Sequence, residues 1–188
     1  MELNVVNALM GQGKTSAAIN YINNAPKDEH FIFCTPYLSE VDRVITACSD
    51  KEFIEPQKSP SKRQQFKELV TNKKNVATTH SLFSNIDSET RKLIKDNNYT
   101  LILDETIETI SQLVLSSSDR EFIASLCEFD NKGCATWNSV KGTAYMKSIE
   151  TMCNCHNLYC ANNDFVQLLP IENFKAFSKV FILSLIHI

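Results

Sequence analysis

The amino-acid sequence predicts an α/β protein in which helices flank a parallel β-sheet. Apolar segments with the composition of buried strands alternate with segments whose apolar residues follow a helical repeat. A glycine-bearing turn joins the first strand to the first helix, and a later apolar strand ends in two adjacent acidic residues. The length of 188 residues suits one such domain with a sizeable core.

Composition and charge narrow the class of protein. The net charge is −3, so binding to nucleic acid would require a local basic patch rather than bulk charge. The seven cysteines are odd in number and scattered, which does not indicate a disulfide framework. There is no basic-then-apolar leader and no apolar run of membrane-spanning length. We therefore expect a cytoplasmic protein with reduced thiols and no membrane partner.

The turn after the first strand carries a phosphate-binding pattern. Residues 8–15 read ALMGQGKT, with Ala8 in place of the usual first glycine. Glycines let the backbone approach phosphate oxygens, and amides at a helix start can point into one concavity. The predicted nucleotide-binding residues are Gly11, Gln12, Gly13, Lys14, Thr15 and Ser16. The alternative is an ordinary strand–turn–helix that contains a lysine.

The acidic strand supplies the second half of such a site. Residues 101–106 read LILDET, and the carboxyl ends of parallel strands share one sheet edge, so Asp104 can lie near Thr15. Thr15 and Asp104 are the predicted Mg²⁺ ligands, Asp104 acting through water. Lys14 would reach the β- and γ-phosphates, and Glu105 would orient and deprotonate the attacking water. Lys14, Asp104 and Glu105 are therefore the predicted catalytic residues. The alternative is that both acids only cap a helix.

The remaining elements follow from apolar spacing and from capping or turn residues. The predicted strands are 3–10, apolar enough for burial on both faces, then 30–34, a short strand at 53–54, 75–79, 99–103 and 179–183, with a hairpin in 157–169. The predicted helices are 14–22, one capped by Ser39 and ending near 48, one opened by the capping box of Ser61 and Gln64, 88–97, 107–115, one opened by Ser118 and Glu121 and ending near 129, 144–153 and 171–177. Residues 131–142 have no clear pattern.

The combined motifs resemble the first RecA-like domain of superfamily-two helicases, the DEAD/DEAH-like group. Residues 35–44, TPYLSEVDRV, and 77–83, ATTHSLF, resemble the family's motifs that contact the nucleic-acid backbone. The order of the four motifs is most similar to compact helicase-like proteins of bacteriophages. The acidic box reads Asp-Glu-Thr-Ile, so the family's fourth-position acid or histidine is absent, and no adenine-reading motif precedes Val5.

The resemblance implies a P-loop NTPase fold, with residues 1–188 as one RecA-like ATP-binding domain that has a small β-hairpin insertion near its C-terminus. It implies an ATP-dependent helicase motor that uses ATP and Mg²⁺. The polymer on which the motor acts is expected to be single-stranded or duplex DNA, with RNA as the second choice. Hydroxyls and free amides at strand ends are sequence-blind phosphate donors. The implied nucleic-acid contacts are Thr35, Tyr37, Arg43, Thr79 and His80. Each also has a structural alternative, as a strand end or a cap.

The last residues depart from the family. Residues 183–188 read LSLIHI where the family has a Ser/Thr-Ala-Thr motif, and the same string is one reading frame of a common transposon-end library adaptor. We expect residues 183–188 to be partly artefactual and the chain to be a fragment that lacks the second RecA-like domain, which normally supplies an arginine finger. A genuine short strand is the alternative. These residues alone would bind Mg-nucleotide weakly, hydrolyse it poorly and not unwind duplexes.

Other classes stay open at this stage. A P-loop ATPase or kinase of another type, such as a DNA-packaging ATPase or a small-molecule kinase, is one alternative, although a kinase lid needs clustered arginines and the four here are scattered. A non-catalytic nucleotide-binding module is another alternative. The presence of Lys14, Thr15, Asp104 and Glu105 argues against it. Residues 153–160 contain three cysteines and a histidine that could ligate zinc, but the spacing is tighter than in zinc fingers, which favours ordinary thiols.

Overall fold

The computed structural model describes residues 1–9, 11–59, 61–138, 146–162 and 164–185. The chain divides into two compact units. The first, called the sheet unit here, comprises Met1–Ile107 and Ile171–Ile188. The second, the inserted unit, comprises Glu108–Pro170. Among the described helices, none has the length and apolar character needed to cross a membrane.

The helices and strands are numbered along the chain. The strands are β1 Glu2–Ala8, β2 Phe31–Thr35, β3 Val76–Thr79, β4 Thr100–Asp104, β5 Ile110–Gln112, β6 Cys127–Phe129, β7 Ala135–Trp137, β8 Leu158–Ala161, β9 Asp164–Leu168 and β10 Lys179–Leu185. The helices are α1 Lys14–Asn24, α2 Leu38–Ala47, α3 Lys62–Thr71, α4 His80–Ser84, α5 Ser88–Asp96, α6 Ser117–Leu126, α7 Lys147–Asn154 and α8 Ile171–Lys175, with a short 3₁₀ turn at Ser49–Lys51.

The sheet unit is built on a five-stranded sheet with the order β1-β10-β4-β2-β3. Every pair of neighbouring strands is parallel. The predicted α/β architecture, a parallel sheet flanked by helices, is therefore confirmed. Because the strands are parallel, the segments that follow β1, β2, β3 and β4 emerge at one edge of the sheet. That edge carries the motifs that the sequence analysis singled out.

The core of the sheet unit lies around β2 and β4. All five residues of each strand are buried, as expected for parallel strands covered on both faces. Phe31, Phe33 and Ile102 of these strands pack with Ile22 of α1 and Val41 of α2 in one cluster. These side chains are almost fully removed from water, so their burial stabilises the position of both helices relative to the sheet.

The prediction that the first strand is buried on both faces is wrong. Leu3 and Val5 of β1 are 55% and 53% exposed. Among the described residues β1 pairs with β10 alone, so it forms an edge of the sheet. Apolar composition does not distinguish an edge strand from a central one, because that difference depends on the order of the strands. The strand ends at Ala8, and residue 10, the predicted end, lies outside the described residues.

The described residues of the inserted unit form two antiparallel sheets. One has the order β5-β9-β8, and the other pairs β6 with β7. The predicted hairpin is present, since β8 and β9 pair antiparallel from Leu158 opposite Gln167 to Ala161 opposite Asp164. Its turn residue 163 lies outside the described part of the chain. Ile123, Ile149 and Phe165 belong to a separate apolar cluster of this unit.

Two helix predictions in the inserted unit are wrong in type or extent. Residues 107–115 were expected to be helical, but Ile110–Gln112 form β5, which pairs with β9. The segment is rich in threonine, isoleucine and valine, which favour strands once a partner is available. The next helix ends at Leu126, and Cys127–Phe129 form β6 opposite β7. Its cap is Ser116 rather than Ser118, since the Ser116 hydroxyl accepts the backbone N–H of Asp119.

Smaller differences concern helix starts. The Ser61 cap is confirmed, because its hydroxyl accepts the backbone N–H of Gln64 at 3.1 Å. The Ser39 cap is wrong, because α2 already begins at Leu38 and has no side-chain cap. The predicted helix 144–153 begins at Lys147, with 144 and 145 outside the described residues. The short strand at 53–54 reduces to one parallel bridge between Ile54 and Val76.

The last strand agrees with its prediction and extends beyond it. Residues 179–183 were expected to be a strand, and β10 continues to Leu185, which lies opposite Ala8 of β1. Residues 186–188 lie outside the described part of the chain. Since β10 lies between β1 and β4, it separates the two strands that carry the nucleotide motifs.

Candidate functional site

The turn between β1 and α1 contains two glycines whose backbone conformation requires glycine. Gly11 and Gly13 have φ values of +80° and +76°, a region that side chains with a Cβ rarely adopt. A Cβ built at either position would meet no atom within 4 Å, so the space in front of both residues is open. The backbone here is therefore accessible to a ligand, and a ligand of suitable size would occupy the space that a Cβ would fill.

The start of α1 lies beside that space, because Gly13, Lys14, Thr15 and Ser16 line the same cavity. Gly13 is the N-cap of this 11-residue helix and makes no side-chain cap, and the first turn carries no acidic residue. The first N–H groups of a helix have no partner within the helix, and they lie at the positive end of its dipole. Such a terminus binds anions, and phosphate is the usual one after a glycine-bearing turn.

Lys14 lies folded against the turn. Its Nζ donates to the carbonyl oxygens of Ala8 at 2.7 Å and of Leu9 at 3.2 Å. The backbone N–H of Gln12 donates to the same Leu9 carbonyl at 3.3 Å. The ammonium group is thus held at the mouth of the turn by two neutral acceptors, which a phosphate can replace with a stronger charge-assisted bond.

The predicted proximity of Thr15 and Asp104 is present. The Thr15 hydroxyl donates to Oδ2 of Asp104 at 2.9 Å, although the two residues are 89 positions apart in the chain. Asp104 is the last residue of β4 and is only 6% exposed. A hydroxyl and a carboxylate are the hard oxygen ligands that Mg²⁺ prefers. The parallel sheet brings them together because both follow strand ends at the same edge.

The environment of Asp104 suits a cation. Burial raises the pKa of this carboxyl, and the hydrogen bond from Thr15 offsets only part of the effect. A raised pKa means that the folded protein disfavours the charged form, which a bound cation would stabilise. Within the described residues no group of three or more His, Cys, Asp or Glu is arranged to hold a metal. Two protein oxygens nevertheless fit Mg²⁺, which keeps waters and takes phosphate oxygens as further ligands.

Glu105 has an unusual backbone. Its φ is +64°, and its N–H donates to the carbonyl of Leu183 in β10 at 3.0 Å. A non-glycine residue in this region costs on the order of 1–3 kcal/mol and often marks a functional position. The hydrogen bond to β10 fixes the turn that follows β4. The Glu105 side chain is half-buried and lines the same cavity as the glycine turn.

The predicted nucleotide residues surround one cavity of about 290 Å³. Its lining comprises Gly11, Gly13, Lys14, Thr15, Ser16, Arg43, Asp104 and Glu105. Of the residues predicted to bind nucleotide, Gln12 contributes to the turn but not to this lining. Arg43 is an addition, because it was expected to contact nucleic acid. The cavity combines helix amides and a lysine with a hydroxyl–carboxylate pair, which can bind a phosphate chain with its cation.

Two of the residues predicted to contact nucleic acid are buried or half-buried at the strand ends. Thr35 is completely buried, and its Oγ1 has no hydrogen-bond partner among the described residues, so its contact with nucleic acid stays a prediction. Thr35 ends a central strand, where burial on both faces is the rule. His80 Nε2 lies 2.9 Å from the carbonyl oxygen of Asp104, and burial lowers the pKa of the ring. His80 therefore ties the end of β3 to the end of β4.

The other members of this set differ in position. Tyr37 precedes α2 and is 63% exposed, which leaves its ring available to a ligand. Thr79 ends β3 opposite Thr35 and is half-buried. Arg43 lies on α2 and lines the phosphate cavity. Four of the five residues thus lie at or just beyond the carboxyl ends of β2 and β3, and Arg43 lies further along the chain in α2.

The sequence did not lead us to predict that Arg43 lines the phosphate cavity or that Glu40 lies near Asp104. Because β2 pairs with β4, the helix that follows β2, α2, lies beside the end of β4. The charge of Glu40 raises the pKa of Asp104, and the charge of Arg43 lowers it. The order of parallel strands cannot be read from alternation alone. The available signal was the i, i+3 spacing of Glu40 and Arg43, which predicts a pair on one helix face.

The cysteines of the inserted unit do not form a zinc site in the described residues. Cys153 and Cys155 are buried. The Sγ atoms of Cys153 and Cys127 lie 3.8 Å apart in the apolar cluster of this unit. Cys153 is therefore packed among apolar side chains, and the absence of zinc stays a prediction.

The fold and site together define a mixed α/β protein whose parallel sheet is compatible with a Rossmann-like or RecA-like fold. The chain is similar to the SPbeta prophage-derived uncharacterized protein YonV of Bacillus subtilis (strain 168), with 38% identity over 71% of this chain. It spans 34% of that protein, about a third of its length. No protein-family model matches, and no solved structure matches.

Proposed function

We propose that this chain is the ATP-binding and ATP-hydrolysing motor domain of a nucleic-acid helicase, of the superfamily-two type that its motifs resemble. The observation that carries the proposal is the 2.9 Å hydrogen bond between Thr15 and Asp104 in the cavity that the glycine turn and Lys14 also line. In an ordinary strand–turn–helix, nothing would bring two residues 89 positions apart into contact. Their meeting supports a P-loop with its acidic partner.

The residues have distinct parts in this reaction. Lys14 exchanges the carbonyls of Ala8 and Leu9 for phosphate oxygens, and the first amides of α1 bind the same phosphates. Thr15 and Asp104 would hold Mg²⁺, which when bound neutralises charge on the phosphate oxygens. Glu105 orients the attacking water and accepts its proton. Hydrolysis is therefore achieved by positioning and electrostatics.

The helicase part of the proposal has separate support. Tyr37 is exposed at the sheet edge where the nucleotide motifs also lie, so DNA, or RNA, could bind beside the site. The similarity to a prophage-derived protein favours a bacteriophage context. The whole protein's partners, including a second RecA-like domain and the polymer on which it acts, belong to this proposal, as does its action in the cytoplasm of a bacterial host.

The test is hydrolysis of Mg-ATP by a longer protein in which this chain is joined to the proposed second RecA-like domain, measured as phosphate release with and without single-stranded DNA or RNA. Nucleic acid is expected to raise the rate, and Glu105→Gln is expected to lower kcat by about 100-fold or more, the usual effect of a lost general base. Glu108→Gln is the matched control, since it removes an exposed carboxylate three positions away. A rate that ignores nucleic acid would contradict the helicase assignment, and a rate unchanged by Glu105→Gln would contradict the catalytic one.

A further inference from the structure

Arg43 is the cavity-lining residue that the P-loop and the acidic box do not explain. It comes from α2, the helix after β2, whereas the other lining residues follow β1 or β4. Its side chain is 49% exposed, and the hydrogen bond described for it runs from Nη1 to Oε2 of Glu40 at 3.0 Å. A guanidinium group has five N–H donors, so most of its capacity remains for a further acceptor.

The position of Arg43 within the cavity is on the acidic side. Its charge lowers the pKa of Asp104, whereas the charge of Glu40 raises it, so both lie near the carboxylate that ends β4. If Glu105 orients the attacking water, the reacting phosphate must lie on this side too. Lys14 and the amides of α1 approach from the glycine turn. The terminal phosphate would therefore lie between the turn and Arg43.

We propose that Arg43 binds the terminal phosphate of a nucleoside triphosphate, and that it leaves Glu40 to do so. This inference rests on the proposed function, because it assigns a further residue to the same site. An exposed pair at i, i+3 contributes little to stability, and a planar guanidinium matches phosphate oxygens with two parallel hydrogen bonds. Exchange of Glu40 for phosphate is thus favourable, and it makes the site distinguish triphosphate from diphosphate.

A nucleic-acid contact is the competing role for Arg43. Phosphates of DNA would also attract its charge, but Arg43 lines the cavity that Lys14 also lines, whereas the exposed Tyr37 is not among the described lining residues. The two roles differ in what they change. A terminal-phosphate ligand alters the ratio of the affinities for triphosphate and diphosphate, whereas a nucleic-acid ligand alters affinity for DNA alone.

The test is calorimetric titration of Mg-ADP, of a non-hydrolysable Mg-ATP analogue and of single-stranded DNA into the full chain and its variants. Arg43→Ala should weaken binding of the analogue about 10- to 100-fold, the range for one lost hydrogen-bonded charge, and change ADP affinity little. Arg43→Lys should retain part of the preference, and Glu40→Gln should keep or strengthen it. Arg63→Ala is the matched control, because Arg63 also pairs with a carboxylate, Asp87, but is not among the cavity-lining residues.

The outcomes distinguish a failure of the proposed role of Arg43 from a failure of the proposed function. If Lys14→Ala abolishes both affinities while Arg43→Ala leaves their ratio unchanged, the nucleotide site stands and the role of Arg43 is overturned. Loss of DNA binding by Arg43→Ala with unchanged nucleotide affinities would overturn it as well. If Lys14→Ala changes neither affinity, the proposed function itself fails. Circular dichroism of each variant establishes that it is folded.

Discussion

At the scale of the residue, Asp104 shows how the fold prepares a charge for a ligand. Its carboxyl is buried, and it keeps one described side-chain donor, the Thr15 hydroxyl. Burial raises its pKa, so the isolated protein favours the neutral acid more than a peptide would. We infer that a carboxylate kept at such a cost serves in binding rather than in folding, as the proposed function requires.

The raised pKa of Asp104 gives a prediction with a definite sign. As the pH falls, this carboxyl takes up its proton at a higher pH than an ordinary aspartate, and a protonated Asp104 no longer attracts Mg²⁺. Affinity for Mg-nucleotide should therefore decline on the acid side of neutrality sooner than an ordinary aspartate would allow. Asp104→Asn should bind Mg-nucleotide weakly at every pH, which titrations across a pH series would measure.

The same substitution should not destabilise the fold. A pKa raised by folding means that Asp104 contributes stability at low pH that is lost as the pH rises through that pKa. The asparagine side chain would keep an acceptor for Thr15 without the charge, so Tm near neutral pH should stay the same or rise.

Asp87→Asn is the control, because folding shifts the pKa of Asp87 in the opposite direction. Burial raises the pKa of Asp87, but bonds from Thr90 and nearby cations lower it overall, so its removal should reduce Tm. A large fall in Tm for Asp104→Asn would count against this view.

At the scale of the element, the turn between β1 and α1 depends on its glycines. Gly13→Ala would place a Cβ on a residue with φ of +76°, at a cost of about 1–2 kcal/mol from the backbone alone. The Cβ would enter the open space above the helix amides. We expect a small loss of Tm together with a large loss of Mg-ADP affinity, measured by thermal melting and calorimetry.

Gly133→Ala provides the comparison for that prediction. Gly133 also has a positive φ, but a Cβ there would lie 2.3 Å from the carbonyl oxygen of Cys160, so the backbone must move. This variant should lose more stability than Gly13→Ala and retain nucleotide binding if folded. If Gly13→Ala bound Mg-ADP as the native chain does, the turn would not be the phosphate cradle.

Elements also show what the sequence could and could not predict. Buried strands such as β2 and β4 were predicted well, because continuous apolar runs are typical of central parallel strands. β1 also contains apolar residues but includes Glu2, Asn4 and Asn7, and it lies at an edge. Ile110–Gln112 was mistaken for a helix because its pairing with β9 is a long-range contact that no local pattern records. Strand order and distant pairing are thus the information that local sequence patterns do not contain.

At the scale of the whole molecule, the candidate site follows from one property of the sheet. Parallel strands bring their carboxyl ends to one edge, which is why the meeting of Thr15 and Asp104 could be predicted from motifs alone. The place of Arg43 could not, since it depends on β2 lying next to β4. The inserted unit, Glu108–Pro170, has its own apolar cluster, and the short hairpin expected there was only part of it.

The central claim is that the glycine turn and Lys14 form a nucleotide-phosphate site. Calorimetric titration of Mg-ADP into the native chain and into Lys14→Ala tests it most directly. We expect measurable binding by the native chain, which Lys14→Ala abolishes while the variant keeps its native circular dichroism. Equal binding by both proteins, or no binding by a folded native chain, would contradict it.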